Sequence, residues 1–178
     1  MKRKATLQRE LDAALSNYID LTGVLCDDLN ELLADERASQ NWRRNFVRTS
    51  AALFEGHAHC LRRMCAVGLS IDASPFSKKE IQAITNEGRI SANERLKLTL
   101  RAAYKLFRLG PSPCFDDANW SNAQKVMLKR HKLMHPQRRS DLGIGNSTWR
   151  ALRRGITWLT KQFFDFLTLS QAAYDRSE

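Results

Sequence analysis

The chain has 178 residues, long enough for one domain with a substantial core, and its 43% hydrophobic and 27% charged fractions are ordinary for a globular protein. No uninterrupted apolar run of about 18 residues occurs, which excludes a membrane-spanning helix, and Met1–Lys4 leads into polar residues rather than the apolar core of a signal peptide, so the expected compartment is the cytoplasm. The net charge of +10 is unevenly held: residues 1–88 carry 12 basic and 12 acidic side chains, residues 89–178 carry 17 and 7, which suits either a polyanionic partner such as nucleic acid or a basic surface kept for solubility.

Taken in chain order, Leu7, Leu11, Ala14, Tyr18, Thr22, Leu25, Leu29 and Leu32 recur at steps of three and four, predicting a long first helix over roughly residues 5–36. Ser39 or Asn41 can cap a second helix whose stripe is Phe46, Ser50, Leu53, His57, Cys60, Met64 and Val67. Val47, Phe54 and Leu61 widen that stripe, so this helix is expected deep in the core. Gly68 to Pro75 reads as a loop, and Ser77 with Glu80 three residues on is a capping box that opens a short helix stopped at Asn86-Glu87-Gly88. Ser91 or Asn93 starts a further helix through Leu96, Leu100, Tyr104 and Phe107, ending near Gly110-Pro111.

Asp116 or Asp117 caps the next helix, on which Trp120, Ala123, Met127, Arg130 and Met134 fall on one side before Pro136 ends it. A polar loop, residues 137–147, leads to a last long helix carrying Trp149, Leu152, Ile156, Leu159, Phe163, Phe166 and Ala173. No segment shows the alternation of a strand. The expected fold is all-α: one domain spanning residues 1–178, a bundle of four to five main helices with a short extra helix. The cysteines Cys26, Cys60, Cys65 and Cys114 lack metal or redox spacing and read as reduced, mostly buried thiols.

The residues most suggestive of chemistry are Arg130, His131 and His135. In an unbroken helix Arg130 and His135 would be turned about 140° apart, but the residue before a proline is steered away from helical backbone, so His135 can stand at or past the last turn and swing toward Arg130. A helix C-terminus favours a cation, and histidine is the side chain suited to proton transfer near neutral pH. An imidazole can take the 2′-hydroxyl proton of RNA or protonate the leaving 5′-oxygen, while a guanidinium fork stabilises the phosphorane. That would be metal-independent transesterification.

Two plainer readings use the same residues. His131 and His135 stand at i and i+4, a metal-pair spacing, but Lys132 occupies the place of a zincin's glutamate and no third ligand is evident. Alternatively, the imidazole caps carbonyls and the arginine is a surface side chain.

The run Arg130–Pro136, with Ser140-Asp141-Leu142 following, resembles the HEPN superfamily, all-α domains marked by an Arg, usually followed by a polar residue, and a His separated from that Arg by four to six residues, here four. The resemblance covers the helix pattern of most of the chain but only about seven residues as a motif. It implies a homodimer whose motif helices share a cleft, Arg130 and His135 as the matched catalytic positions, and His131 as the polar position orienting phosphate or the second histidine. It further implies an endoribonuclease of a toxin or defence system, needing no cofactor or metal, with an antitoxin or defence-system protein as a further partner. Some members are non-catalytic binding or scaffold modules, which is the alternative function.

Glu55 and His59, at i and i+4 on the polar face of the second helix with Arg62 and Arg63, are accessory candidates; they form either a solvated pair or, with Glu55 turned to the cleft, a clamp on Arg130 or a histidine. Lys125, Lys129, Lys132, Arg138, Arg139, Arg150, Arg153 and Arg154 bracket the motif and could track an RNA backbone. Trp120 and Trp149 could stack on bases but fit the core stripes better, and His57, on the apolar stripe, reads as a core or interface histidine. A rival reading takes residues 77–107 as a helix-turn-helix DNA reader with Arg89, Arg95, Lys97 and Arg101, although the apolar face of its second helix is that of a core packer.

Overall fold

A computed structural model describes residues 2–36 and 39–175, without the side chains of 2–5, 8, 174 and 175, so the basic start Met1–Lys4 lies outside the described side chains. The described residues form α1 (Lys2–Ala34), α2 (Gln40–Ile71), α3 (Lys78–Thr85), α4 (Ala92–Leu106), α5 (Ala118–Met134), one 3₁₀ turn (Arg139–Leu142) and α6 (Asn146–Asp175). Five main helices and the short α3, with no strand among the described residues, make an all-α protein. No helix is long and apolar enough to cross a membrane among the described residues.

The residues cluster into two compact units, each taking segments of α1, α2 and α6. One contains residues 1–21, 57–113 and 163–178. Its centre is aromatic: Tyr18 Oη lies 2.7 Å from His57 Nδ1, and the His57 ring stacks on Phe163 at 4.2 Å. Phe166 packs edge-on against Tyr18 and Phe107. His57 is thus a core histidine, and burial pushes it down to about 3, so it stays neutral.

In the same unit Ser77 and Glu80 form the expected capping box of α3, and Lys105 Nζ donates to the buried Glu80 carboxylate at 2.7 Å. Asn86, in left-handed backbone (φ 63°), ends α3, and Ser91 caps α4. The loop expected from Gly68 begins later, because α2 runs on to Ile71. Gly68 is buried, and any Cβ there would collide with Leu106 Cδ1. The glycine serves close packing and does not break the helix.

The second unit contains residues 22–56 and 114–162. Ser39 Oγ accepts from Trp42 N, capping α2, and the Trp42 ring stacks on Phe46 at 5.0 Å with Trp149 edge-on to both. Trp42 Nε1 donates to Leu32 O at 3.0 Å, which satisfies the indole inside the core. Phe115, Trp120 and Trp158 form a second aromatic cluster. Trp120 and Trp149 are therefore core residues.

Helix α5 departs from the expected stripe. Its inward row is Trp120, Ala123, Val126 and Leu133, while Met134 is 49% exposed. Arg130 lies in the middle of that row, half-buried, four residues after Val126 and three before Leu133. Of the cysteines, all free, Cys60 and Cys65 are buried, Cys26 is half-buried and Cys114 is exposed.

Candidate active site at the end of helix α5

Asp117 starts α5 by accepting from Asn119 N and Trp120 N at 3.0 and 2.9 Å. The helix ends as Pro136 requires: His135 leaves helical backbone (φ −130°, ψ 61°), although its N–H still donates to His131 O at 2.9 Å. This half-in position brings the rings of His131 and His135 to 5.2 Å between centroids, tilted by 51°, with both residues exposed. Arg48 Nη2 donates to Leu133 O at 3.1 Å, placing a cation on a carbonyl the helix leaves open.

Arg130 points elsewhere. Its Nη2 donates to Glu55 Oε2 at 3.1 Å, with the two side chains 32% and 45% exposed. The backbone offset between Arg130 and His131 on the helix is about 100°, so the guanidinium sits on the α2 side of α5 and the two imidazoles on its open side. Glu55, expected either in a solvated pair or turned to the cleft as a clamp on Arg130 or a histidine, is bonded to Arg130 at this half-exposed position. His59, its proposed companion, is exposed and belongs to the other unit.

The loop after α5 is wired tightly. Asp141 Oδ2 accepts from Gln137 N and Arg138 N at 3.0 and 3.1 Å, and these backbone donors, Gln137 N first, hold its carboxyl below the usual carboxylate range. Lys129 Nζ donates to Asp141 O at 2.7 Å and to Gly143 O at 2.6 Å. Gln40 both donates to Ile144 O and accepts from Ile144 N, at 3.0 and 2.8 Å.

The other basic candidates divide by role. Lys129 is bound to the loop, and Arg153 pairs with Glu36 at 3.0 Å while lying over Trp149. Lys125 donates to Asn122 Oδ1 at 3.1 Å. Lys132, Arg138, Arg139, Arg150 and Arg154 are exposed. Lys132 makes no hydrogen bond among the described residues.

Lys125, Lys129 and Lys132 share one face of α5 and line a cleft of about 500 Å³, closed on its other side by Gly143 and by Ser147, Thr148, Ala151 and Leu152 at the start of α6. Sequence reasoning missed Leu128, Ser147 and Thr148 in this cleft. The only signal was Leu128, a large apolar residue inside a lysine face.

Chemically, the helix end offers two adjoining imidazoles able to pass a proton in opposite directions, with a tethered guanidinium on the next face. No group of three or more His, Cys, Asp or Glu that could hold a metal ion occurs among the described residues. Set against known proteins, the chain matches no family model, no curated protein and no solved structure.

Proposed function

We propose that this protein is a metal-independent endoribonuclease of the HEPN type, acting on RNA in the cytoplasm as a toxin or defence effector. The observation that carries the reading is the exposed His131–His135 pair, its rings 5.2 Å apart at a proline-terminated helix end. One neutral imidazole takes the 2′-hydroxyl proton as that oxygen attacks the adjacent phosphorus. The other, as imidazolium, gives its proton to the departing 5′-oxygen. The P–O5′ bond breaks, leaving a 2′,3′-cyclic phosphate and a free 5′-hydroxyl. Within one chain Arg130 holds Glu55 on the α2 side of α5, away from the imidazoles, so the guanidinium fork that meets the phosphorane oxygens is the one a second copy brings to the pair.

The homodimer belongs to the same proposal: a second copy of α5 would close the open side of the histidine pair, and the exposed Met134 beside His135 suits such a contact. An antitoxin or defence-system protein would then act by covering that helix end.

A second reading has its own support. The Glu55 carboxylate partly neutralises the one arginine of the motif, as would suit a non-catalytic HEPN-like module that binds nucleic acid or scaffolds an assembly. RNA incubated with the purified protein in EDTA separates the two. The nuclease gives cyclic-phosphate ends, and His135→Ala abolishes them while leaving the far-ultraviolet circular dichroism unchanged. Cleavage only with added divalent metal, or RNA binding without cleavage, rejects the nuclease reading.

A further inference from the structure

The lysine-lined cleft has features that a general basic surface does not require. Lys125, Leu128, Lys129 and Lys132 follow at i, i+3, i+4 and i+7, one continuous face of α5. The opposite wall is the first turns of α6, where the hydroxyl residues Ser147 and Thr148 line the cleft at the helix end that carries positive partial charge. No carboxylate is among the lining residues. The Asp141 side chain, the nearest acid in sequence, is occupied by two backbone N–H groups.

The cleft is also tied to the connecting loop and partly apolar. Lys129 spends two of its three N–H donors on the carbonyls of Asp141 and Gly143, which fixes the connecting loop and leaves one donor for a ligand. Burial, and then the neighbouring Lys132 ammonium, hold Lys129 below the usual lysine range. An anion between them would relieve that repulsion. Leu128 is 57% exposed although it faces into the cleft, and Ala151 and Leu152 lie across from it. A volume of about 500 Å³ falls within the range of about 300–1,000 Å³ typical of small-ligand pockets.

We propose that this cleft binds one nucleotide, its phosphate held by Lys125, Lys132 and the Ser147 and Thr148 hydroxyls, its base laid on Leu128. Three lysines along the α5 wall adjoin an apolar floor of Leu128, Ala151 and Leu152, and this pairing of chemistries is that of a phosphorylated nucleoside. Inorganic phosphate would leave Leu128 in water. The proposal deepens the ribonuclease reading, because Leu128 and Lys132 stand beside His131 and His135 around α5, so a strand cut at the histidines would lay a flanking nucleotide here. The nucleotide's source is either such a strand or a free nucleoside monophosphate.

The test uses the full chain and three probes: a fluorescent 2′-O-methyl oligonucleotide, which lacks the 2′-hydroxyl nucleophile and so reports binding without cleavage; 5′-AMP; and inorganic phosphate. Lys132→Gln is expected to weaken oligonucleotide binding about five-fold and to lower the salt slope by about one. Leu128→Asn is expected to weaken oligonucleotide binding by a similar factor at unchanged salt slope. Displacement of the oligonucleotide by 5′-AMP at concentrations where phosphate fails identifies a site that also takes free nucleotides; oligonucleotide binding without AMP displacement identifies a strand subsite. Either supports the cleft. Unchanged oligonucleotide affinity in both variants, or displacement by phosphate as effective as by AMP, overturns it. Cleavage can fail while this binding survives, so the two readings fall separately.

Discussion

Glu55 Oε2 and Arg130 Nη2 meet at 3.1 Å across 75 residues of sequence, joining α2 to α5 at the half-exposed edge of the second unit. A pair this open to solvent adds only about 0–1 kcal/mol to stability. Its consequence is positional: it fixes which way the motif guanidinium faces. Glu55→Gln is therefore expected to leave the melting temperature within about 2 °C of the parent while lowering kcat for RNA cleavage by about 10- to 100-fold with little change in KM. Steady-state kinetics beside a thermal melt checks this. Equal losses in melting temperature and activity would mean the bond is merely structural.

The histidines and the arginine should separate by variant. His131→Ala and His135→Ala remove exposed rings that stand 5.2 Å from each other, so folding should be unaffected while kcat falls by about 10²- to 10⁴-fold. Arg130→Ala should fall similarly. Arg130→Lys should not restore activity, because an ammonium cannot hold Glu55 and two phosphate oxygens in one plane. Recovery with lysine would point to a simple charge requirement.

Much of this was legible in the sequence, for definable reasons. Helical periodicity and capping residues fix local backbone, so Ser39, Ser77, Ser91 and Asp117 mark helix starts as the structure has them. Gly68 was misread because a glycine that ends a helix and one that admits Leu106 look alike until the partner helix is in place. The α5 stripe slipped because Val126-Met127 and Leu133-Met134 offer two apolar rows one residue apart, and tertiary packing chose Val126 and Leu133. Glu55 was detectable as a candidate since it is a carboxylate on a polar helix face. The Lys129–Asp141 wiring and the Ser147–Thr148 wall were not, because they rest on loop carbonyls and on where α6 begins, which no periodicity encodes.

Gly155 offers a sharper test of packing. It is buried in α6, and a Cβ there would lie 2.6 Å from Ala123 N and closer still to the Asn122 carbonyl. Those are backbone atoms of α5, which cannot rotate away as the Leu106 side chain beside Gly68 can. Gly155→Ala should therefore cost about 1–3 kcal/mol despite alanine's better helix propensity. Gly68→Ala should cost less. Urea denaturation of both variants measures the difference, and a neutral Gly155→Ala would mean the helices separate at little cost.

His57 makes stability depend on pH. Its ring is buried against Phe163 and bonded to the Tyr18 hydroxyl, and burial lowers its pKa to about 3 from an unfolded value of about 6.5. Between those values the unfolded chain binds a proton that the folded one refuses, so stability rises with pH. The contribution is full above pH 6.5 or so, is lost progressively as pH falls, and is gone near pH 3, on the order of 4 kcal/mol in all. His57→Gln keeps a polar partner for Tyr18 but has no proton to gain. It should start less stable at pH 7, through lost stacking on Phe163, yet lose less than the parent on acidification. Denaturant midpoints measured from pH 7 down to pH 4 give the two slopes, and parallel slopes would assign the acid sensitivity to other groups.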